Sequence, residues 1–263
     1  MKVSYFPGCT LKNKAKVLDE YARRCAELLG VTLEEPETWQ CCGGVFTTAV
    51  DEVATKLSSV RLLKDAADKG QPLVTVCSAC HNVVKQTNYA MQNNDAFASK
   101  VNAYMGEDGY HGETTVYHYL ELLRDVVGYD TLKEKVVNAL KGKKIACYYG
   151  CLLLRPSGVM QMDDPENPTI MEDLVKALGA DPVVFANRNE CCGGYVSMEN
   201  GTLAAKKSNA VVENAKAMGA DMIITACPLC RYNLMKNGAD IPVVYFTELL
   251  AEALGVKEGD TNE

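Results

Sequence analysis

The sequence predicts an α/β protein of two structurally related halves, each built on a parallel sheet with cysteines at the carboxyl ends of its strands. Twelve cysteines fall largely into two matching sets, and strand-like apolar runs alternate with helical patterns. Alternating strands and helices are typical of parallel sheets. Such sheets bind ligands beyond the carboxyl ends of their strands, where the cysteines fall here.

The first half begins with a predicted strand in KVSYFPGC. An amphipathic helix is predicted from Asn13 to Gly30, with apolar side chains recurring at helical spacing. A long helix follows from Thr47 to Gly70, and a buried strand in PLVTVCSAC ends at two cysteines. The predicted apolar face of the first helix comprises Val17, Leu18, Tyr21, Cys25, Leu28 and Leu29.

The second half repeats this order. KKIACYYGC predicts the opening strand, 202–219 a long helix, and DMIITACPLC a buried strand. The halves also end alike, in VYHYLELL at 116–123 and VVYFTELL at 243–250. We place the boundary between Gly128 and Lys144, which predicts domains at 1–136 and 137–263.

The cysteine spacing shows the same repeat. CCGG at Cys41–Gly44 recurs at Cys191–Gly194, and CxxC at Cys77–Cys80 recurs at Cys227–Cys230. Both motifs are offset by 150 residues (from 41 to 191 and from 77 to 227). A shared offset over four cysteines rarely arises by chance.

The opening cysteines, Cys9 and Cys151, are offset by only 142 residues. The second half therefore carries eight extra residues, the difference between the offsets of 150 and 142. We place this insertion around DDPENP at Asp163–Pro168, which has no counterpart in the first half. Each half thus supplies five motif cysteines.

Composition limits the class of protein. The chain has 263 residues, 48% hydrophobic and 23% charged, as in a soluble globular protein. Its net charge is −7 and its Lys and Arg residues are scattered, which argues against nucleic-acid binding. No run approaches the roughly 18 apolar residues of a membrane helix, and the first ten residues lack signal-peptide features. We therefore expect a cytoplasmic protein, whose free thiols favour metal binding or redox chemistry.

Five cysteines per half exceed what common sites need. Zinc takes four ligands, and an ordinary cubane iron–sulfur cluster also takes four, often in a C-x2-C-x2-C run that is absent. A larger or unusual iron–sulfur cluster, or one spare ligand per site, is the leading interpretation. Zinc in one half and structural disulfides are the alternatives. Cys25, on a helix face, and Cys147, on a strand, are interpreted mainly as core residues.

The motifs resemble those of CCG-domain proteins and, among these, the B subunits of the heterodisulfide reductases. CCG alone is shared with subunits of glycolate and lactate oxidation and with thiol-linked fumarate reductases. The CYYGCLLLRP and DDPENP segments are more specific to the B subunits. The segments that carry the resemblance are Tyr5–Cys9, Cys41–Gly44, Cys77–Cys80, Cys147–Pro156, Asp163–Pro168, Cys191–Gly194 and Cys227–Cys230.

The resemblance implies two noncubane [4Fe-4S] clusters, one per half. A substrate disulfide would lie between them and receive one electron from each side, leaving each thiolate on iron. In methanogens that substrate is the mixed disulfide of coenzymes M and B. The implied ligands are Cys9, Cys41, Cys42, Cys77 and Cys80 for one cluster, and Cys151, Cys191, Cys192, Cys227 and Cys230 for the other.

The resemblance also implies partners, a ferredoxin-like C subunit and a flavin-bearing A subunit of the heterodisulfide reductase. The chain lacks a GxGxxG fingerprint and a P-loop, so flavin, NAD and ATP would bind elsewhere. An alternative is an electron-transfer module of a bacterial, heterodisulfide-reductase-like flavin-based complex that serves another acceptor or an oxidoreductase partner, such as a hydrogenase, formate dehydrogenase or methylenetetrahydrofolate reductase module. A zinc-stabilised scaffold is a third interpretation. In each CCGG, the second glycine stands where the family more often has alanine.

Two further residues are candidates for catalysis. His81 follows the first CxxC and is a candidate proton donor to a leaving thiolate, with a structural role as the alternative. Arg231 follows the second CxxC and is a candidate ligand for an anionic substrate tail, as is Arg155 after Cys151, with a surface or capping role as the alternative for each. His118, at a strand-to-helix junction, is interpreted as structural.

Overall fold

The computed structural model describes residues 1–44, 53–106 and 109–259. Its first half contains strands β1 (Lys2–Phe6), β2 (Thr32–Glu34), β3 (Leu73–Thr75) and β4 (Val116–His118). Its helices are α1 (Gly8–Asn13), α2 (Lys16–Leu28), α3 (Leu57–Asp68), α4 (Ser78–Asn93), α5 (Asp95–Met105), α6 (Tyr119–Glu121), a π-helix at Leu122–Val127 and α7 (Tyr129–Lys135).

The second half contains strands β5 (Lys144–Tyr148), β6 (Asp181–Val183), β7 (Met222–Thr225) and β8 (Val243–Tyr245). Its helices are α8 (Ser157–Met160), α9 (Ile170–Ala177), 3-10 turns at Ala186–Asn189 and Val196–Met198, α10 (Gly201–Ala217), α11 (Pro228–Lys236) and α12 (Phe246–Leu254).

The two sheets have the same topology. Their strand orders are β2-β1-β3-β4 and β6-β5-β7-β8, and every pairing is parallel. Parallel neighbours require crossover connections, which the helices supply. The matching orders confirm the predicted α/β fold with two related halves.

The halves share one hydrophobic core. Buried side chains of α2 and α12 pack together in it, and the Thr247 hydroxyl donates to the carbonyl of Leu18 at 3.1 Å. Helix α7 reaches across to α9, where the Tyr129 hydroxyl donates to the carbonyl of Ile170 at 2.9 Å. The exact boundary at 136/137 stays a prediction.

The predicted first helix differs from the structure. A separate short helix, α1, precedes it, and the backbone of Ala15 (φ −131°, ψ 49°) divides the two. Leu28, predicted to face the core, is 49% exposed, because it lies on the flank of the helix with the half-buried Val17 and Tyr21. The buried stripe instead runs through Leu18, Ala22, Cys25, Ala26 and Leu29.

The predicted long helices have different outcomes. The helix predicted at 202–219 is α10. Of the one predicted at 47–70, residues 47–52 lie outside the described residues, 53–56 form a turn, and α3 begins at Leu57. None of the described helices is both long enough and apolar enough to cross a membrane.

Candidate metal centre at the junction of the two halves

The opening and CxxC cysteines lie just beyond the ends of strands, whereas the CCGG cysteines lie in irregular segments. Cys9 follows β1 in the first turn of α1, and Cys151 follows β5. Cys77 and Cys227 are the N-cap residues of α4 and α11, directly beyond β3 and β7. A helix N-terminus carries partial positive charge, which stabilises a thiolate.

Within each set, sulfurs approach one another in pairs. The Sγ atoms of Cys9 and Cys41 are 3.5 Å apart, and those of Cys42 and Cys80 are 3.4 Å apart. In the second set, Cys192 and Cys230 are 3.6 Å apart. All twelve cysteines are free thiols. Across the described residues, no group of three or more His, Cys, Asp or Glu side chains forms a ready site for one metal ion.

Hydrogen bonds between thiols favour ionisation at selected cysteines. Hydrogen bonding with Cys41 and Cys80 lowers the pKa of Cys42. A bond from Cys151 lowers the pKa of Cys191 to about 6. Metal ligation requires thiolates, and the lowered pKa values of Cys42 and Cys191 favour that form.

The two sets meet at the junction of the halves. Hydrogen bonds from Cys230 and, across the junction, from Cys77 hold the pKa of Cys227 well below its usual value. The amide and hydroxyl of Ser78 both donate to the carbonyl of Ala226, at 3.0 and 2.8 Å. The carboxyl ends of β3 and β7 therefore face each other.

Two glycines allow the sulfurs to approach the backbone. Gly8 has φ +78°, and a Cβ there would lie 2.7 Å from Sγ of Cys80. Gly150 has φ +65°, and its Cβ would lie 3.2 Å from Sγ of Cys230. The glycine before each opening cysteine is thus required both by its backbone conformation and by the neighbouring sulfur.

The surroundings of the two sets differ. The first set lines a cavity of about 780 Å³, whose opposite wall is α11 of the second half. The second set lines a pocket of only about 20 Å³. Leu229 borders both spaces, and the Tyr195 hydroxyl donates to the carbonyl of Gly44 at 2.6 Å. An external molecule thus has more room beside the first set.

The cysteine-rich domain model named CCG matches this chain twice, over residues 3–85 and 145–235. The chain belongs to the CCG family. Each match contains one full cysteine set, in agreement with the repeat.

Curated relatives of this CCG protein come from several electron-transfer systems. It is 31% identical to an 8-methylmenaquinol:fumarate reductase membrane anchor subunit of Wolinella succinogenes, over 96% of this chain and 92% of the relative. It is 29% identical to the B subunit of a CoB–CoM heterodisulfide reductase of Methanosarcina acetivorans, over 97% and 89%. A protein of Archaeoglobus profundus named as similar to the heterodisulfide reductase B subunit is also 29% identical, over 97% and 91%. The predicted relationship to the B subunits is confirmed.

The fold also matches a solved structure, that of a hypothetical protein from Helicobacter pylori. The TM-score is 0.74 at 12% sequence identity, and the match covers 98% of this chain and 49% of that one. The chain thus spans about half the length of that protein, and the likeness concerns the fold alone.

The two candidate catalytic residues differ in their access to the sulfurs. The His81 imidazole is fully buried, with Nδ1 3.0 Å from the Thr75 hydroxyl and its ring edge-on to His118. Burial holds the pKa of His81 well below its usual value, which keeps the ring neutral. Its role as a proton donor stays a prediction, and these contacts favour the structural alternative.

Arg231 lines the large cavity. Its Nη2 lies 3.2 Å from Glu248, while its buried Nε has no hydrogen-bond partner within the described residues. This position is compatible with binding an anionic group. Arg155 instead contacts the carbonyl of Asn189 and the carboxylate of Glu166, at 3.1 and 2.9 Å.

Cys25 and Cys147 both lie fully buried in the shared core. Burial raises the pKa of Cys25 to about 12, so its thiol stays protonated. Sequence reasoning missed Tyr195, although it directly follows the second CCGG. A tyrosine at that place in the sequence carries no signal that it will contact the other half.

Proposed function

We propose that this chain is an iron–sulfur subunit of a multisubunit oxidoreductase that reduces a small-molecule disulfide to two thiols. The observation that carries the proposal is the meeting of two five-cysteine sets at one junction, where Ser78, next to Cys77, donates two hydrogen bonds to the carbonyl of Ala226, next to Cys227. The relatives named as heterodisulfide reductase B subunits support it. Partners resembling the ferredoxin-like C and flavin-bearing A subunits, and a cytoplasmic location, belong to the same proposal.

The donor set suits iron–sulfur binding. Two sulfurs bonded at about 2.3 Å to one tetrahedral metal ion lie roughly 3.8 Å apart, close to the observed pairs at 3.4–3.6 Å. Soft thiolates are the ligands that such clusters use. We propose one noncubane [4Fe-4S] cluster on Cys9, Cys41, Cys42, Cys77 and Cys80, and another on Cys151, Cys191, Cys192, Cys227 and Cys230.

Bound clusters would supply electrons one at a time, and two facing clusters would match the two-electron demand of a disulfide. The protein would position the two cysteine sets and give the substrate access to them. The hydrogen bonds from Ser78 to the carbonyl of Ala226 hold the two sets side by side, and the large cavity beside the first set would admit the substrate. Arg231 faces that cavity and would orient an anionic end of the substrate.

A second candidate function is electron transfer to a different acceptor. The Wolinella succinogenes relative, a subunit of a quinol:fumarate reductase, favours it. In that case the cysteine sets would hold the same groups, and the complex would show no disulfide reductase activity.

Anaerobic reconstitution with iron and sulfide tests the cofactor proposal, read out by iron, sulfide and zinc content and by EPR. We expect iron for two clusters in the wild type and in the core variant Cys25→Ala. Zinc without iron in the natively purified chain would refute it. The purified complex is then assayed with a reduced viologen and either the CoM–CoB disulfide or fumarate. Reduction of fumarate alone would refute the disulfide proposal and favour the second candidate.

A further inference from the structure

A buried ion pair in the second half has no part in the cysteine chemistry described above. Arg188 and Glu172 are 5% and 3% exposed, and Nη1 of Arg188 lies 2.7 Å from the Glu172 carboxylate. The Tyr149 hydroxyl donates to the other oxygen of that carboxylate. Burying two charges carries a large desolvation penalty, and such pairs are weak evidence for added stability. Their position in the chain suggests another role.

The backbone of Arg188 connects the two segments that deliver cysteines to the second site. Its carbonyl accepts hydrogen bonds from the amides of Tyr149 and Gly150, at 2.8 and 3.2 Å. Cys151 follows Gly150 directly, and Cys191 lies three residues after Arg188. Movement of Arg188 would therefore displace both cysteines relative to each other.

Residues of the eight-residue insertion form hydrogen bonds with Arg188 and with the residue that follows it. Asn167 accepts a hydrogen bond from Nη2 of Arg188 at 2.5 Å, and the carbonyl of Pro165 accepts one from the Asn189 side chain at 2.8 Å. Glu166 binds Arg155, four residues after Cys151. The loop thus contacts residues that follow one cysteine and precede the other.

We propose that the loop at 163–168, together with Arg188 and Glu172, is a clamp that positions Cys151 and Cys191 for the second cluster. This inference rests on the proposed function, because it assumes that the second set holds a cluster. The clamp acts through the backbone that presents the cysteines, so its members are positioning residues. Groups that orient ligands typically change metal affinity by about 10- to 100-fold when they are mutated.

In the first half, a different carboxylate connects the segments that carry Cys9 and Cys41. Glu35 accepts hydrogen bonds from Lys12 at 2.9 Å, from Arg23 at 2.5 Å and from the Trp39 indole at 2.8 Å. Lys12 lies three residues after Cys9, and Trp39 lies two residues before Cys41. Glu35→Gln is therefore a matched perturbation of the other site.

The test uses the full chain in two backgrounds. Cys42→Ser should leave only the second cluster, and Cys192→Ser only the first. In the Cys42→Ser background, Glu172→Gln should lower the affinity of the second site for its cluster by about 10- to 100-fold. It should also alter the EPR spectrum of that cluster. In the Cys192→Ser background, it should leave the spectrum unchanged. Glu35→Gln should lower the affinity of the first site for its cluster in the Cys192→Ser background and leave the spectrum unchanged in the Cys42→Ser background.

Asn167→Ala is a second variant that removes only the contact between the loop and Arg188. Asn167 is exposed, so the substitution leaves the core intact. It should also lower the affinity of the second site for its cluster while leaving the first site unaffected. If Glu172→Gln affects both clusters equally, or if neither variant changes the second one, the clamp is refuted.

Alkylation of the apo chain, measured by mass spectrometry, gives an independent readout. Both clamp variants should change the labelling rates of Cys151 and Cys191 relative to those of Cys9 and Cys41. A wild type that assembles no cluster would refute the proposed function, while unchanged labelling of Cys151 and Cys191 in both variants would refute the clamp.

Discussion

Gly8→Ala is expected to displace a sulfur of the first site. The new Cβ would lie 2.7 Å from Sγ of Cys80, whereas an ordinary contact is about 3.5 Å. The sulfur must therefore move by roughly 0.8 Å, away from a position where it lies 3.4 Å from the sulfur of Cys42. Cys80 is 5% exposed, so its neighbours restrict that movement.

Two energies add in this variant. An alanine at φ +78° costs about 1 kcal/mol in backbone strain, and overpacking a buried site costs about 1–3 kcal/mol more. Gly30→Ala is the matched control, because Gly30 has φ +76° and a Cβ there would meet nothing within 4 Å. It should lose only the strain energy of about 1 kcal/mol.

Urea unfolding of the apo chain measures the free-energy difference between the two variants, and anaerobic reconstitution measures their iron content. Gly8→Ala should bind about half of the wild-type iron, because only the first set is disturbed. Gly30→Ala should bind the full amount. Equal iron content and equal stability in both variants would show that the approach of Cys80 to the backbone is unimportant.

Three further predictions concern other parts of the chain. Cys42→Ser and Cys192→Ser should each remove one EPR signal, and each should abolish disulfide reduction in the complex. Arg231→Met should raise KM for an anionic disulfide about 10-fold with little change in kcat, as expected for a lost charged hydrogen bond of about 1.4 kcal/mol. Lowering the pH from 7.5 to 5.5 should destabilise the apo chain by about 1.4 kcal/mol through His118 alone, whose buried side chain has a pKa of about 3.

The sign of the pH effect follows from where the proton binds. Below pH 6.5 the unfolded chain protonates His118 while the folded chain does not, so the stability contributed at high pH is lost as the pH falls. Buried Glu121 has a raised pKa and acts in the opposite direction, so the comparison is with His118→Asn in urea titrations at both pH values. An equal pH dependence in that variant would contradict the assignment to His118.

Each remaining prediction has its own control. Cys25→Ala changes a core thiol and should leave both EPR signals intact. Two signals in Cys42→Ser or in Cys192→Ser would contradict the ligand assignment. For Arg231→Met, an unchanged KM for an anionic disulfide would exclude the proposed contact. An uncharged disulfide should be affected little.

The sequence by itself determined the repeat, the fold class and the cysteine sets. Strand-like runs that end at CxxC imply parallel sheets with cysteines at their carboxyl ends, because these are local patterns with a common spacing. The same reasoning separated Cys25, on an apolar helix face, from the motif cysteines. It misplaced Leu28, because apolar spacing alone does not fix which of two neighbouring faces of a helix is buried. Packing against α12 buries the neighbouring face instead.

Only the tertiary structure decided how the two sets relate to each other. The hydrogen bond from the Ser78 hydroxyl to the carbonyl of Ala226 joins residues 148 positions apart, and no local pattern specifies it. The large cavity beside the first set, the small pocket beside the second and the contact of Tyr195 with Gly44 also depend on how the halves pack. Spacing in a sequence reports which residues can serve as ligands, whereas long-range packing decides which of them meet and what can reach them.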